Sequence, residues 1–227
     1  MKRRPSRELL DDDAGTPSEI AESIIDLHNI NRRFGGISTS LQMLEEIANQ
    51  SGKKELSLLD VGAGNGDLPA TLQAQLQNRG VRLNLTLLDR VYSHLGSVAS
   101  GIVGDALNLP FSDNSFDVVT CNLFLHHLTP AEVVNFGQEA LRCSRIAVAI
   151  NDLIRSPLHL AFVYAGLPLF HSRITRHDAP ASVRQAYTPA EIRDLLSQTK
   201  AEQVDISKHY LYRMGIVAWK RAKLRQD

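Results

Sequence analysis

The stretch LLDVGAGNGDLP, residues 58–69, decides the fold, because it places three glycines at alternate positions directly after an apolar run. The run at residues 56–61 predicts a buried strand. The residues that follow carry leucines at helical spacing up to Gly80 and predict a helix. Glycine tolerates a positive φ and lets a ligand approach the backbone closely. The turn is therefore typical of the nucleoside- or phosphate-binding corner of a doubly wound α/β sheet.

The bulk composition bounds the kind of protein. The chain has 227 residues, of which 43% are hydrophobic and 22% charged, and this predicts one globular domain with a substantial core. The formal net charge is zero, so the composition does not favour nucleic acid as a partner. The basic clusters at residues 2–4 and 220–225 are interpreted as solvated tails.

The thiols and the apolar segments predict a location. Cys121 and Cys143 are too far apart for a CxxC metal or redox pattern. We therefore expect both to be reduced, buried thiols of a cytoplasmic protein. The first dozen residues are charged and predict no signal peptide. The longest charge-free apolar stretch, residues 156–170, is shorter than the roughly 18 residues of a membrane-spanning helix. We expect it to line a core or a pocket.

Local patterns predict the order of the elements. Thr-Pro-x-Glu occurs at residues 16–19, 129–132 and 188–191, which predicts three helices that begin with a capping box and a proline. Strand-like segments follow the glycine turn at residues 81–90, 100–106, 115–125, 144–154, 201–210 and 214–222. Alternating strands and helices predict a parallel sheet. The last two strands have so short a link that they must be antiparallel to each other.

Two common nucleotide motifs do not fit the glycine turn. A dinucleotide fingerprint needs a third small residue where this chain has Asp67, and a phosphate loop needs a Lys-Ser or Lys-Thr pair after the glycines. What remains is the pattern D-x-G-x-G-x-G, with Asp89 and Asp105 at the ends of the next two strands.

Three further segments follow that pattern in order: LLDR at 87–90, GDALNLPFSDNSFDVV at 104–119 and NLFLHHL at 122–128. Together they resemble the class I S-adenosylmethionine-dependent methyltransferases. The resemblance covers residues 36–155 and, by topology, 188–220. Within the class, the chain is similar to the small-molecule branch of secondary metabolism that includes quinone and polyketide methyltransferases.

The resemblance implies a Rossmann-like, doubly wound α/β fold with seven strands in the order 3-2-1-4-5-7-6, the last strand being antiparallel. It also implies helices before the glycine turn and a helical insert after the fifth strand. We expect a single domain, residues 1–227. Its predicted parts are N-terminal helices (1–50), a cofactor-binding core (51–155), a substrate-covering insert (156–187) and a final helix and strand pair (188–227).

The resemblance also implies the cofactor, S-adenosylmethionine, with S-adenosylhomocysteine as product. Asp89 would accept hydrogen bonds from both ribose hydroxyls, Asp105 from the adenine amino group, and Asp60 would hold the ammonium group. The implied cofactor residues are Asp60, Gly62, Ala63, Gly64, Asp89, Arg90, Asp105, Ala106 and Asn122, with Val91 beside Arg90 at the adenine. The alternative is that Asp89 and Asp105 only cap strand ends.

The candidate catalytic residues follow the fourth and fifth strands, where an open α/β sheet binds ligands. His127 is favoured over His126 as a base that takes the acceptor's proton, and the alternative is a histidine packed under the start of a helix. Asp152 is a third candidate. Asn151 beside it would contact the substrate or cap the loop.

The insert at residues 156–187 mixes apolar and polar side chains, as a cover for an aromatic or lipid-like acceptor would. The predicted substrate residues are Asn151, Phe162, Tyr164, Arg173 and His177, and the alternative for the insert is an interface or a core helix. No metal site is predicted, because the eight histidines show no convincing ligand spacing.

The predicted function is transfer of a methyl group to a small molecule, at a phenolic, quinone-like or polyketide hydroxyl or at a ring carbon. Amino-methylating nucleic-acid enzymes carry an Asn/Asp-Pro-Pro-aromatic motif where this chain reads CNLF, and protein-arginine enzymes need paired glutamates that FLHHL lacks. A catalytically silent cofactor-binding protein remains an alternative. The expected partner is a small-molecule acceptor, with no nucleic acid and no transmembrane segment, for a monomer or homodimer.

Overall fold

A seven-stranded sheet forms the centre of the protein in the computed structural model, which describes residues 1–12, 14–91, 95 and 101–220. Its strands are β1 (Glu55–Val61), β2 (Arg82–Asp89), β3 (Gly101–Val103), β4 (Phe116–Asn122), β5 (Ser144–Leu153), β6 (Gln203–His209) and β7 (Arg213–Trp219). Their order is β3-β2-β1-β4-β5-β7-β6. β7 runs antiparallel to both of its neighbours, and the other pairs are parallel. The predicted strand order and reversed last strand are confirmed.

The helices of the described residues are α1 (Pro17–Arg33), α2 (Gly36–Ser51), α3 (Asp67–Gln77), α4 (Pro130–Cys143), α5 (Pro157–Gly166), α6 (Arg173–Gln185) and α7 (Pro189–Leu196). All three predicted capping boxes are present, at Thr16, Thr129 and Thr188. Each N-cap is worth about 1 kcal/mol, so these sites fix where α1, α4 and α7 begin. Measured against membrane thickness, every described helix is too short or too polar to span a bilayer.

Apolar side chains cover both faces of the sheet. Leu44 of α2 and Leu76 of α3 are fully buried against one face. Phe136 of α4 and Ile192 of α7 are fully buried in the cluster on the other face. A parallel sheet covered on both faces is rigid, and its carboxyl edge is the place where loops can carry chemistry.

β4 is shorter than the apolar run at 115–125 predicts. It ends at Asn122, since Leu123 has φ 51°, and residues 125–127 form a 3-10 turn. The turn places His126 and His127 directly before α4. The predicted insert holds α5 and α6, while the predicted subdivision of the chain stays a prediction. Residues 221–225 of the second basic cluster lie outside the described residues.

Candidate active site

A cavity of about 670 Å³ lies at the carboxyl ends of β1, β2 and β4. Its walls also include side chains of α1, α5 and α6, and of residues 1–12, which we call the N-terminal segment. Open α/β sheets bind their ligands at this edge. The cavity therefore lies where the glycine turn and the two histidines predict a site.

Gly62 and Gly64 hold the corner in the left-handed region, with φ values of 69° and 54°. The N–H groups of Gly62 and Ala63 donate to the Leu88 carbonyl at 2.9 and 3.1 Å. A Cβ atom at Gly62 would lie 3.1 Å from the Phe124 ring, whereas one at Gly64 would have nothing within 4 Å. The corner is thus tied to β2, and the backbone at Gly64 is open to a flat ligand.

Asp89 ends β2 with a buried carboxylate on the cavity wall. Its oxygens accept hydrogen bonds from the Gly64 N–H at 2.9 Å and from the Val91 N–H at 3.0 Å. A carboxylate offers about four acceptor positions, which suits a pair of adjacent hydroxyls. Asp89 therefore both shapes the glycine corner and faces its ligand side.

Arg90, Asp105 and Ala106 line the same cavity. The Asp105 carboxylate is exposed and accepts a hydrogen bond from the Leu107 N–H at 2.9 Å. Asp105 thus closes the turn after β3, the alternative role considered for it, and lines the cavity as well.

Asp60 lies one residue before the end of β1 and is almost fully buried. Its Oδ1 accepts hydrogen bonds from Thr120 Oγ1 at 2.6 Å and from Asn122 Nδ2 at 3.3 Å. Burial raises the pKa of Asp60 to about 7, and the nearby Asp89 carboxylate adds to the rise, although both hydrogen bonds oppose it. A cation placed in the cavity beside Asp60 would favour its charged form.

Asn151, predicted to contact the substrate, instead joins α2 to the sheet. It is fully buried, and its Nδ2 donates to the Gly36 carbonyl at 2.7 Å and to Ser40 Oγ at 2.9 Å. Ser40 Oγ in turn donates to Asn122 Oδ1 at 2.6 Å. The network places the cavity-lining Asn122 and, through it, Asp60; Asn151 is not a cavity residue.

His126 is enclosed between two carboxylates. Its Nδ1 lies 2.6 Å from Asp152 Oδ1, its backbone N–H donates to Asp152 Oδ2 at 3.1 Å, and its Nε2 lies 3.6 Å from Glu8 Oε1. Although burial alone would lower it, the Asp152 and Glu8 charges raise the pKa of His126 to about 10. His126 therefore keeps its proton at neutral pH, which corrects its predicted role as a base.

His127 contacts a different carboxylate. Its Nδ1 lies 2.8 Å from Asp11 Oδ2, its side chain is 22% exposed, and it lines the cavity. Since an ionised carboxylate can only accept, Nδ1 of His127 donates to Asp11, and Nε2 is the ring nitrogen that this contact does not use. His127 therefore combines a partly exposed ring on the cavity wall with a carboxylate that orients it, whereas the His126 ring is buried.

The N-terminal segment supplies both of the carboxylates that sequence reasoning missed, Glu8 and Asp11. Glu8 Oε1 accepts hydrogen bonds from Ser182 Oγ at 2.7 Å and from Gln185 Nε2 at 2.5 Å. Leu9 and Leu10 donate their backbone N–H groups to Asp178 at 2.9 and 3.0 Å. The segment is thus fixed to α6.

Arg3 anchors the segment at its other end. Its guanidinium donates to the carbonyls of His126 and Leu128 at 2.9 and 2.8 Å and lies 4.2 Å from the centre of the Tyr187 ring. No local pattern marks these roles, because Glu8 and Asp11 are more than a hundred residues from the histidines they contact.

Glu8, His126 and His127 place one ligand atom each within 4.8 Å of one another, a spacing that a cation could use. Both ring nitrogens of His126 face carboxylates, however, and this arrangement suits an imidazolium, which cannot bind a metal. The cluster is therefore interpreted as an ion-pair network.

Three other predicted substrate residues also face away from the cavity. The Tyr164 hydroxyl accepts a hydrogen bond from Arg184, Arg173 pairs with Glu19 at 2.9 Å, and His177 Nδ1 lies 2.7 Å from Asp178. All three side chains lie in partly or largely exposed positions outside the cavity lining. Phe162 lines the cavity as predicted.

The apolar wall opposite the glycine corner comes from α1. Ile24, Leu27 and Ile30 of this helix line the cavity. Their spacing of three residues marks one face of a helix, and that pattern by itself cannot separate a core face from a cavity face. The sequence therefore shows that α1 has an apolar face, but only the structure shows that this face lines the cavity.

Comparison with known proteins agrees with this geometry. Residues 59–146 match the family described as Methyltransferase domain. A ubiquinone/menaquinone biosynthesis C-methyltransferase from Roseobacter denitrificans is 31% identical over 113 residues, 44% of this chain and 42% of that protein. The chain therefore matches less than half the length of this curated relative.

Two solved structures share the fold. The plantazolicin methyltransferase BpumL in complex with S-adenosylhomocysteine has a TM-score of 0.69 at 16% identity, over 94% of this chain and 95% of that one. A SAM-dependent methyltransferase from Aquifex aeolicus has a TM-score of 0.56 at 16% identity, over 79% and 88% of the two chains.

The strand order, the glycine corner and the acids near the end of β1 and at the end of β2 resemble those of the class I S-adenosylmethionine-dependent methyltransferases. Residues 59–146 of the chain match the methyltransferase domain family. The cofactor of the class is S-adenosylmethionine. The site fits it, because Gly64 leaves open space for a flat nucleoside and the buried Asp60 would be stabilised by a cationic ammonium group.

Proposed function

We propose that the protein transfers a methyl group from S-adenosylmethionine to a phenolic, quinone-like or polyketide hydroxyl, or to a ring carbon of such a molecule. The observation that carries the proposal is the pairing of His127 with Asp11 at 2.8 Å in the cavity that holds the glycine corner. An acceptor bound next to the cofactor would have to lose its proton, and a base in the same cavity as the glycine corner is placed to remove it.

The cofactor, when bound, supplies an activated methyl group on a sulfonium. In this proposal the Asp89 carboxylate accepts hydrogen bonds from the ribose hydroxyls, and Asp60 holds the ammonium group. Arg90, Asp105 and Ala106 contact the adenine side. Asn122 positions Asp60 through its hydrogen bond.

The protein's own groups act on the acceptor. His127 takes the acceptor's proton at Nε2, and Asp11 holds the ring in the required tautomer and balances the resulting positive charge. The His126 ring packs beside that of His127 with centroids 4.2 Å apart, and its own charge is balanced by Asp152 and Glu8. Asp152 holds His126 in place through two contacts.

The cavity walls support an apolar, ring-containing acceptor. Ile24, Leu27 and Phe162 face the space in front of the histidines. The two similar methyltransferases named above are named for quinone biosynthesis and for plantazolicin, both small molecules. We propose a role in secondary metabolism, and a cytoplasmic location because both cysteines are free thiols.

The test is incubation of the purified protein with S-adenosylmethionine and a panel of phenols, hydroquinones and aromatic polyketides, with RNA and a protein mixture as further samples. We expect acceptor-dependent S-adenosylhomocysteine, measured by mass spectrometry, only with the ring compounds. Methylation of RNA or protein alone would refute the small-molecule proposal. Tight cofactor binding without any turnover would indicate a catalytically silent protein.

A further inference from the structure

The helix α5 is apolar and largely exposed. Residues 156–172 contain no Asp, Glu, Lys or Arg. Although the helix is apolar, its buried residue is the polar His159, and its apolar side chains are more exposed. Leu158 is 55% exposed and Phe162 is 52% exposed. Exposed apolar groups of this density in a folded protein mark an interaction surface.

The helix is held rigidly in this orientation. His159 Nδ1 lies 2.9 Å from the Ile154 carbonyl oxygen, and its ring stacks on Tyr212 with centroids 5.1 Å apart. Since the one buried side chain fixes α5 to the end of β5, the exposed side chains form a fixed surface. We call Leu158, Phe162, Tyr164 and Leu169 the apolar rim.

The apolar rim is continuous with the cavity. Phe162 and Leu169 line the cavity and are exposed, Leu169 by 72%. The rim therefore borders the cavity, and we take this border as its mouth. A second copy of the chain seated there would cover this mouth, which argues against a dimer contact as the use of the surface.

Positive charge borders the apolar rim. Arg176 is exposed and donates from Nε to the Phe170 carbonyl at 2.9 Å, and Arg184 contacts the Tyr164 ring and hydroxyl. An apolar surface bordered by arginine suits the interface of an anionic lipid bilayer, where each basic residue near the surface adds to the attraction.

We propose that the apolar rim docks onto an anionic lipid surface, so that an apolar acceptor passes from the lipid into the mouth of the cavity. With ten residues, α5 lies on such a surface rather than crossing it. Docking does not depend on methyl transfer, because it uses exposed residues outside the cofactor corner.

The experiment is flotation of the full chain with vesicles of phosphatidylcholine alone or of two parts phosphatidylcholine to one part phosphatidylglycerol, without cofactor or acceptor. We expect at least about tenfold stronger binding to the anionic vesicles, weakened by salt. Leu158→Glu/Ala161→Glu, at two exposed positions outside the cavity lining, should reduce this binding about tenfold. The matched control is Val103→Glu, at an exposed apolar position on the far edge strand, which should bind as the parent does.

Arg176→Glu is a second variant that leaves α5 unchanged, and it should lower anionic binding while unfolding at the parent temperature. Absence of vesicle binding, or equal loss in the Val103→Glu control, would overturn the proposal. A dimer in sedimentation that Leu158→Glu/Ala161→Glu breaks would also overturn it and assign the rim to a second copy. Since the assay contains no cofactor, its result is separate from that of the turnover test.

Discussion

His126 and His127 are neighbours in sequence, and their ring centroids lie 4.2 Å apart. Their surroundings divide the chemistry between them. His126 is buried between Asp152 and Glu8 and holds a proton, while His127 faces the cavity with Asp11 on one nitrogen. His126 thus belongs to a buried ion-pair network, whereas His127 is the residue that we propose as the base.

His127→Ala should lower turnover by about 10²–10⁴, because the acceptor then keeps its proton. Cofactor affinity should change little, since the glycine corner and Asp89 are untouched. Asp11→Asn should lower kcat by a smaller factor, because the base remains in place and only the charge and hydrogen bond that support it are changed. Steady-state kinetics and calorimetric cofactor titration measure the two quantities.

Normal turnover in His127→Ala would exclude His127 as the base that takes the acceptor's proton. A carbon acceptor, or a phenol that is already partly ionised, would reduce the loss to an effect of positioning. Comparison of acceptors with different hydroxyl acidity separates these cases.

Asp60 should make cofactor binding depend on pH. Burial raises the pKa of this carboxyl to about 7, and the ammonium group of the cofactor favours the charged form, so binding at pH 6 should release a proton and weaken as the pH falls further. Calorimetry in two buffers of different ionisation enthalpy measures the release. In Asp60→Asn the release should disappear, and an unchanged release would assign the proton to another group.

At the scale of elements, the N-terminal segment forms no strand of the sheet, but it contributes two carboxylates to the candidate site. Arg3 fixes it to the carbonyls of His126 and Leu128, and the segment then carries Glu8 and Asp11 to the two histidines. The positions of both carboxylates therefore depend on the half-buried Arg3 anchor together with the contacts of Glu8, Leu9 and Leu10 to α6.

Arg3→Ala should lower turnover about tenfold, because small displacements of a catalytic group have large effects on rate. Cofactor affinity should stay within about twofold, as the segment does not contact the glycine corner. The matched control is Arg4→Ala, since the Arg4 side chain is exposed. Equal effects of the two substitutions on kcat would show that the anchor does not position the carboxylates.

At the scale of the whole molecule, the sheet could be predicted because its signals are local. Capping boxes, apolar runs and the glycine turn each specify an element from a few neighbouring residues. Topology rules then order the strands. The residues proposed for the cofactor side come from the same signals, since they lie at or near strand ends that the apolar runs mark.

The acceptor side could not be predicted in the same way. Asn151 follows the same rule of position as Asp152, yet a hydrogen bond to the Gly36 carbonyl turns it toward α2. Glu8 contacts His126 only because the N-terminal segment packs against α6, which is far from it in sequence. Such contacts depend on packing between distant elements, for which a single sequence gives no periodicity to read.

The buried ion pairs of His126 should make the stability of the whole molecule depend on pH. The pKa of His126 is about 10 in the folded protein, against about 6.5 in an unfolded chain. Between these values the folded state holds a proton that the unfolded state gives up, so stability is fully present below about pH 6.5 and is lost as the pH rises through 10. The free energy of unfolding should therefore fall as the pH rises across this window.

Urea unfolding at pH 6.5, 8 and 9.5 measures this dependence. The control is His126→Gln/Asp152→Asn, which keeps similar shapes but removes the charged pair, and its unfolding free energy should vary less with pH. Since replacing only one partner leaves a buried charge uncompensated, His126→Ala should be destabilised by about 3–5 kcal/mol at pH 7. A parent protein whose stability is constant or rises from pH 6.5 to 9.5 would mean that His126 is neutral in the fold.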